Sequence, residues 1–381
     1  MRDRRFGKTE RQLSVFSLGT MRFDSAAIAH SVMAAAIAQG INHIETAPAY
    51  GQSEAYIGQA IASLLKDGLK NGSVQRKQLT LTSKLTPNLP SSKIEEAIER
   101  SLNRLGVDYL DCLAIHGINT PDHLATVKAD MLAALIKLQA KGLIHHIGFS
   151  THAPLAVIEA AIDTGAFSFV NLHYNFFFQR NAPAIAKAHQ QDMGIFIISP
   201  ADKAGMLYTP PARLVELCHP YDPLLLNYRW LLSDPRITTL SLGPATADEL
   251  RWPLQVADQV WPLSAAEKQA ITTLERAQAE ALGRDRCHQC HQCLPCPEAI
   301  NIPEVLRLRN LAIAYDMKAF GQYRYGMFEN AGHWFPGQRG NRCTDCGDCL
   351  PRCPEQLNIP DLLRETHLRL RGKQRRRLWS E

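Results

Sequence analysis

The chain has 381 residues, 45% of them apolar and 21% charged, with a formal net charge of +5. That is more than one typical domain needs and enough apolar material for a buried core, which excludes a disordered or fibrous protein. The mild charge comes with no recognised nucleic-acid module, so no nucleic-acid partner is expected, and no stretch approaches the ~20 apolar residues of a membrane span.

The N-terminus, MRDRRFGKTERQLSVF, is charged and lacks a continuous apolar core, so no secretory signal is expected. Ten cysteines without an export signal point to a reducing, cytoplasmic setting and to metal binding rather than disulfides.

Strand and helix patterns then alternate. Residues 13–20 read as a strand and Ala26 to Gln39 as a helix closed by Gly40. Strand 42–46 precedes a helix from Ser53 to about Lys66, and strand 79–85 precedes helix 91–105, with Ser91 as its N-cap. Strand 109–115 precedes a helix near 122–141, strand 146–150 precedes helix 154–164, and strand 168–174 precedes helix 181–191. Strand 194–199 leads to a helical stretch at 211–232, and strand 237–242 to a helix near 246–258. Eight such units predict an α/β fold, a (β/α)8 TIM barrel over 1–262. Ser264 caps a connecting helix within 263–283 that ends at Gly283.

Residues 284–365 contain an internal repeat. Cys287, Cys290, Cys293 and Cys296 are spaced C-x2-C-x2-C-x2-C-P, and Cys343, Cys346, Cys349 and Cys353 are spaced C-x2-C-x2-C-x3-C-P. Each run continues into Asn-Ile-Pro and an amphipathic helix. The second run has the ferredoxin spacing for a [4Fe–4S] cluster, in which three closely spaced thiolates hold one face and a distant fourth closes the site. Structural zinc is the competitor, but zinc sites separate two C-x2-C pairs widely. The pattern predicts two [4Fe–4S] clusters. One cluster would sit on Cys287, Cys290, Cys293 and Cys353, the other on Cys343, Cys346, Cys349 and Cys296, because the fourth cysteine crosses over in two-cluster ferredoxins. His288 and His291 are expected to tune or solvate the first site rather than bind iron, and Cys112 and Cys218 to be packing residues. A basic tail, 366–381, is either a solvated helix end or a docking surface for an acidic partner; its charges are Arg369, Arg371, Lys373 and Arg375 to Arg377, with Arg364 just ahead of it.

FGKTERQLSVFSLGTMRF (6–23), GINHIETAPAYGQSEAYIG (40–58), LTSKL (81–85), RSLNRLGVDYLDCLAIH (100–116), KGLIHHIGFSTH (141–152) and NLHYNFF (171–177), in that order, resemble the aldo-keto reductases. The cysteine-rich end resembles a subgroup whose barrel carries a ferredoxin-like domain, which implies a smaller, mainly α-helical, ferredoxin-like iron–sulfur domain here. The resemblance implies NAD(P)H-linked redox chemistry on a small carbonyl or alcohol, with Tyr50 as general acid, Lys84 as the cation that eases its ionisation, and His116 orienting the carbonyl. A phenol with a pKa of ~10 needs such help at neutral pH. The family has aspartate where this chain has Glu45; the longer side chain either still pairs with Lys84 or pushes it off Tyr50.

For the cofactor, the resemblance implies Ser150 and Asn171 at the nicotinamide carboxamide, and Ser199, Lys203 and the surroundings of Gly243 at the phosphates and adenosine. Glu249 stands about where many relatives have an arginine for the 2′-phosphate, which weakens the case for NADPH over NADH, although Arg251 is near. Ile198 occupies the place of a stacking tyrosine, and Phe176 to Phe178 either wall the substrate pocket or belong to the core. Clusters are not needed for hydride transfer, so they imply exchange with a one-electron carrier, such as an acidic ferredoxin or flavodoxin, or a structural staple. The alternative is a non-catalytic redox-sensing, iron-sensing or assembly protein with a degenerate barrel site.

Overall fold

The computed structural model describes residues 1–71 and 75–372. The chain falls into two compact units, the first made of Met1–Pro200 and Asn227–Pro262, the second of Ala201–Leu226 and the described chain from Leu263 onward. Ala201–Leu226 thus belongs to the second unit although it lies inside the 1–262 span in sequence.

The first unit opens with an antiparallel pair, β1 (Asp3–Arg5) and β2 (Gln12–Ser14). Eight strands then close a parallel barrel: β3 (Phe16–Gly19), β4 (His43–Glu45), β5 (Thr80–Leu85), β6 (Leu110–His116), β7 (Ile144–Ser150), β8 (Phe169–Leu172), β9 (Gly194–Ile197) and β10 (Thr239–Leu242). β10 pairs back onto β3, so no strand edge is left open.

The period-two alternation of a strand decides what faces inward. On β5, Thr82 and Lys84 face the interior, whereas Ser83 faces the helix Ser53–Asn71 and donates to Glu54 at 2.6 Å. The interior is layered. Phe6 and Leu13, from the opening pair and its turn, pack with Cys112, Ala114, Phe169 and Phe196 as a plug. Gly194 makes room for it: a Cβ there would meet the Phe6 ring at 2.2 Å. A polar layer follows, in which the buried His43 bonds Ser17 Oγ at 2.7 Å and Thr82 Oγ1 at 2.8 Å, and Ser17 Oγ bonds Thr239 Oγ1 at 2.7 Å. Burial pushes the His43 pKa down to about 3, helped by the charges of Arg11 and Lys84, so this layer is neutral at physiological pH. Above it, at the C-terminal strand ends, lie Glu45, Lys84, His116, Ser150 and Asn171.

Three helical expectations are corrected. The stretch 211–232 is two helices, Ala212–Cys218 and Pro223–Leu232, because Pro220 and Pro223 interrupt the hydrogen-bond ladder. The stretch 246–258 forms two 3-10 turns, Ala247–Leu250 and Pro253–Val256, divided at the residue before Pro253. Ser91 does not cap its helix; it opens a 3-10 turn, Ser91–Lys93, ahead of Ile94–Leu105. Cys112 and Cys218 are buried, as packing residues are.

The second unit is helical. Ser264 caps Ala265–Leu282 in a capping box with Glu267, and Gly283 ends it at φ 50°. Helix Ile302–Tyr315 is buried along almost its whole length. Tyr315 donates to Leu274 O at 2.9 Å and Arg213 to Ala314 O at 2.7 Å, tying Ala265–Leu282 and Ala212–Cys218 to that helix. Lys318–Tyr325 and Ile359–Leu370 complete the unit. Among the described residues, no helix is long and apolar enough to cross a membrane.

Candidate active site and cysteine sites

The barrel mouth gathers side chains from separate strand ends. Lys84 is 2% exposed, and its Nζ lies 2.5 Å from Glu45 Oε1. The same ammonium donates to Thr46 O at 3.0 Å and to the Tyr50 hydroxyl at 3.1 Å. Glu45 therefore does not displace Lys84 from Tyr50; the carboxylate and the phenol share one ammonium. Burial alone would push the Lys84 pKa down, but the Glu45 charge, Tyr50 and the hydrogen bonds to both hold it above its ordinary value. The site thus keeps a charged, buried ammonium beside a phenol, and electrostatic interactions among buried groups are stronger than in solvent.

His116 ends β6 and meets the Tyr50 ring edge-on, with ring centroids 5.8 Å apart. Asn171, on β8, donates from Nδ2 to Glu45 Oε1 at 3.4 Å, while its Oδ1 is buried without a partner. Ser150, at the end of β7, accepts from the Gly117 N–H at 3.1 Å. Glu45, Tyr50, Lys84, His116, Ser150 and Asn171 therefore converge on one end of the barrel.

The remaining expected positions are more scattered. Ser199 has a φ of 50° and belongs to the barrel unit, whereas Lys203 belongs to the second unit. Gly243 O accepts from Arg22 at 3.1 Å, and that guanidinium grips Glu249 with both amino groups, at 2.6 and 3.2 Å. Arg251 is exposed, with Asp248 3.9 Å away. Ile198 packs against the barrel plug. Phe176 and Phe177 are buried against each other and Phe176 meets Trp230, which places those two in the core; Phe178 is half-buried under Arg180. Sequence reading missed Arg22, whose only sign was its place just after the first barrel strand. It also missed the pair His152 and His173, whose ring nitrogens are 3.2 Å apart.

In the second unit the two cysteine runs repeat in backbone as well as in sequence. Gln289 and Asp345 take left-handed φ of 62° and 59°, His291 and Gly347 take 63° and 81°, and Ala299 and Gln356 both take 52°. Asn301 and Asn358 stand at equivalent positions before the helices Ile302–Tyr315 and Ile359–Leu370. The thiols that bear most on one another form two sets. Burial raises the Cys287 pKa, with repulsion from Cys290 and Cys353 adding to it. Burial likewise takes Cys293 up to about 12, with Cys287 and Cys290 as its strongest thiol neighbours. Burial raises Cys349 too, and its thiol neighbours are Cys343, Cys346 and Cys296. Cys296, Cys343, Cys346 and Cys349 also line a single cavity.

Cys349 also bears on Cys293, across the two sets. Among the described residues, no three His, Cys, Asp or Glu side chains are gathered as a single metal ion requires. A zinc site with Zn–S of ~2.3 Å would hold its sulfurs roughly 3.8 Å apart. The donor set, all soft thiols wrapped by repeated loops, fits iron–sulfur clusters.

Residues 16–276 match the aldo/keto reductase family, and residues 286–359 match the 4Fe-4S dicluster domain. The chain is 26% identical over 287 residues, 64% of its length, to the NADH-specific methylglyoxal reductase of Escherichia coli K12, covering 85% of that protein. It is 36% identical over 165 residues to an aldo-keto reductase of Mycolicibacterium vanbaalenii, covering 42% of this chain and 54% of that one. A solved aldo-keto reductase from Bacillus halodurans, in its holo form, superposes with a TM-score of 0.60 at 21% identity, over 71% of this chain and 95% of the other, which shows a shared fold. With its family match spanning most of the barrel and a second match over the cysteine runs, this chain is a member of the aldo/keto reductase family that carries a 4Fe-4S dicluster domain C-terminal to its barrel.

Proposed function

We propose that the protein is an NADH-linked oxidoreductase acting on a small carbonyl or alcohol at the barrel mouth, with two [4Fe–4S] clusters that relay single electrons. The observation that carries the barrel reading is the Lys84 ammonium held between Glu45, at 2.5 Å, and the Tyr50 hydroxyl, at 3.1 Å. When bound, the reduced nicotinamide supplies a hydride to the carbonyl carbon, and the clusters supply one-electron steps.

The chain's own residues do the rest. Tyr50 donates its phenolic proton to the carbonyl oxygen, which hydride addition would otherwise leave as an alkoxide. Lys84 remains charged and stabilises the phenolate left behind. Glu45 fixes the ammonium, so the cation costs no reorganisation when the phenol ionises. His116, edge-on to the Tyr50 ring, orients the carbonyl. Ser150 and Asn171 would hold the carboxamide, and the buried, unpartnered Asn171 Oδ1 is an acceptor suited to an N–H donor.

Two observations favour NADH. The cation near Gly243, Arg22, is already satisfied by Glu249, so a 2′-phosphate there would meet a carboxylate. One relative is named as NADH-specific. The clusters would take Cys287, Cys290, Cys293 and Cys353 for one, and Cys343, Cys346, Cys349 and Cys296 for the other. An acidic ferredoxin or flavodoxin would suit the basic tail, although Lys373 and Arg375 to Arg377 lie outside the described residues. Arg364 and Arg369, ahead of them, are engaged with Asp345 and Glu365.

Anaerobically purified protein, titrated with NADH and in parallel with NADPH, tests this reading. Tighter binding of NADH than of NADPH, by protein that shows the broad cluster absorbance near ~400 nm, is the expected result. Preference for NADPH, or colourless protein containing zinc, would overturn it.

A further inference from the structure

The two cysteine runs share a backbone, so their differences stand out position by position. Where the first run has His288–Gln289 and His291–Gln292, the second has Thr344–Asp345 and Gly347–Asp348. Two neutral amides thus face two carboxylates at equivalent places, Gln289 with Asp345 and Gln292 with Asp348. Exposure does not separate the runs: Cys290 and Cys346 are exposed, Cys293 and Cys349 buried, and the other four intermediate.

The local contacts do separate them. Gln289 donates from Nε2 to Cys287 Sγ at 3.4 Å and to Pro303 O at 2.9 Å. At the matching place, the Asp345 carboxylate lies 3.8 Å from Cys343 Sγ. The ion pairs that follow are also related by the repeat: Arg307 with Glu304 at 2.6 Å in the first, Arg364 with Asp361 at 2.5 Å in the second. Arg364 also reaches Asp345, at 2.5 Å. The residue that lengthens the second run is Arg352; it donates to the backbone oxygens of Asp348 and Pro295. Setting the matched Arg–acid pairs aside, the second run carries two extra carboxylates against one extra cation.

A hydrogen bond to a cluster sulfur and the absence of nearby negative charge both favour the reduced form; a carboxylate disfavours it. We propose that the two clusters have unequal reduction potentials, the one on Cys287, Cys290, Cys293 and Cys353 being the higher. Each takes up one electron with no bond made or broken, so an electron entering the domain comes to rest on that cluster. The lower-potential cluster shares its ligand Cys296 with an open groove that Pro295, Pro297, Asp348, Pro351 and Arg352 also line. Electrons can therefore exchange with a carrier on that side and pass downhill to the other cluster.

This rests on the two-cluster reading, and an iron assay separates the two. About four irons per chain overturns the two-cluster reading and this proposal together; about eight sustains the first and opens the test of the second. The full-length holoprotein, reduced stepwise with dithionite and followed by electron paramagnetic resonance, is expected to show two separate one-electron waves. Asp345→Asn with Asp348→Asn should raise the lower wave and leave the upper in place. Gln289→Asp should lower the upper wave alone. Coincident waves in the unaltered protein overturn the proposal. So does a shift of the upper wave by the double substitution, or of the lower wave by Gln289→Asp. The two variants alter different runs, so loss of assembly in one leaves the other decisive.

Discussion

The barrel mouth and the cysteine unit solve the problem of placing chemical groups in opposite ways. At the mouth, Glu45, Lys84, His116, Ser150 and Asn171 come from five strands, and the arrangement is complete in the protein alone, because buried charges hold one another. In the cysteine unit the thiols come from two short loops, copied once, and Cys296, Cys343, Cys346 and Cys349 line a cavity rather than bonding one another. The barrel tolerates a longer carboxylate because its framework of closed, paired strands is independent of the site. The cysteine loops have no comparable framework: their runs contain no strand, and six positions take left-handed φ. Stability should therefore divide along the same line as chemistry.

The largest expected effect breaks the loops. Cys349→Ser removes a buried donor, and iron content should fall by about half. Limited proteolysis should then cut within Ala201–Leu226 and after Leu263 while the strands of the barrel stay protected. Cleavage spread evenly through both units would mean that they do not differ as described.

At the mouth, Tyr50→Phe should lower turnover by roughly 10²–10⁴-fold, the usual range for loss of a general acid, with nicotinamide binding nearly unchanged. Equal turnover would remove Tyr50 from the proton step.

Lys84→Met leaves the Glu45 carboxylate buried without its cation, which should cost about 3–5 kcal/mol in denaturant unfolding. Adding Glu45→Gln should restore much of that loss. If the double variant is as unstable as the single, the buried pair is not what holds this end of the barrel.

His43 probes the layer beneath. Its folded-state pKa is depressed to about 3, so the unfolded chain protonates first as pH falls. Stability is fully present above about 6.5 and lost as pH falls from there toward about 3, at up to about 1.4 kcal/mol per pH unit. His43→Asn should flatten that part of the stability profile by about the same slope. An unchanged profile would show that other groups set it.

The same contrast explains what the sequence displayed. The cysteine runs announce themselves because ligand spacing is local. The eight barrel strands were visible through their regular alternation with helices. The fate of Glu45 was not, because it depends on how one added methylene is taken up between β4 and β5, which no periodicity records. Arg22 and Glu249 are 227 residues apart, and nothing local marks either as the other's partner. The membership of Ala201–Leu226 was hidden for the same reason: its anchors, such as Arg213 on Ala314, are about a hundred residues away. The 246–258 stretch was misread because its polar and apolar residues suit a helix, and only Pro253 marked the break.

The central claim is that Glu45 serves this site as it stands. The direct measurement is the rate of NADH oxidation by unaltered protein and by Glu45→Asp, under identical anaerobic conditions with a small aldehyde. A shorter carboxylate should withdraw from the Lys84 ammonium it now meets at 2.5 Å, and turnover should fall by about tenfold. A severalfold gain with aspartate would contradict the account, marking the glutamate as an impairment.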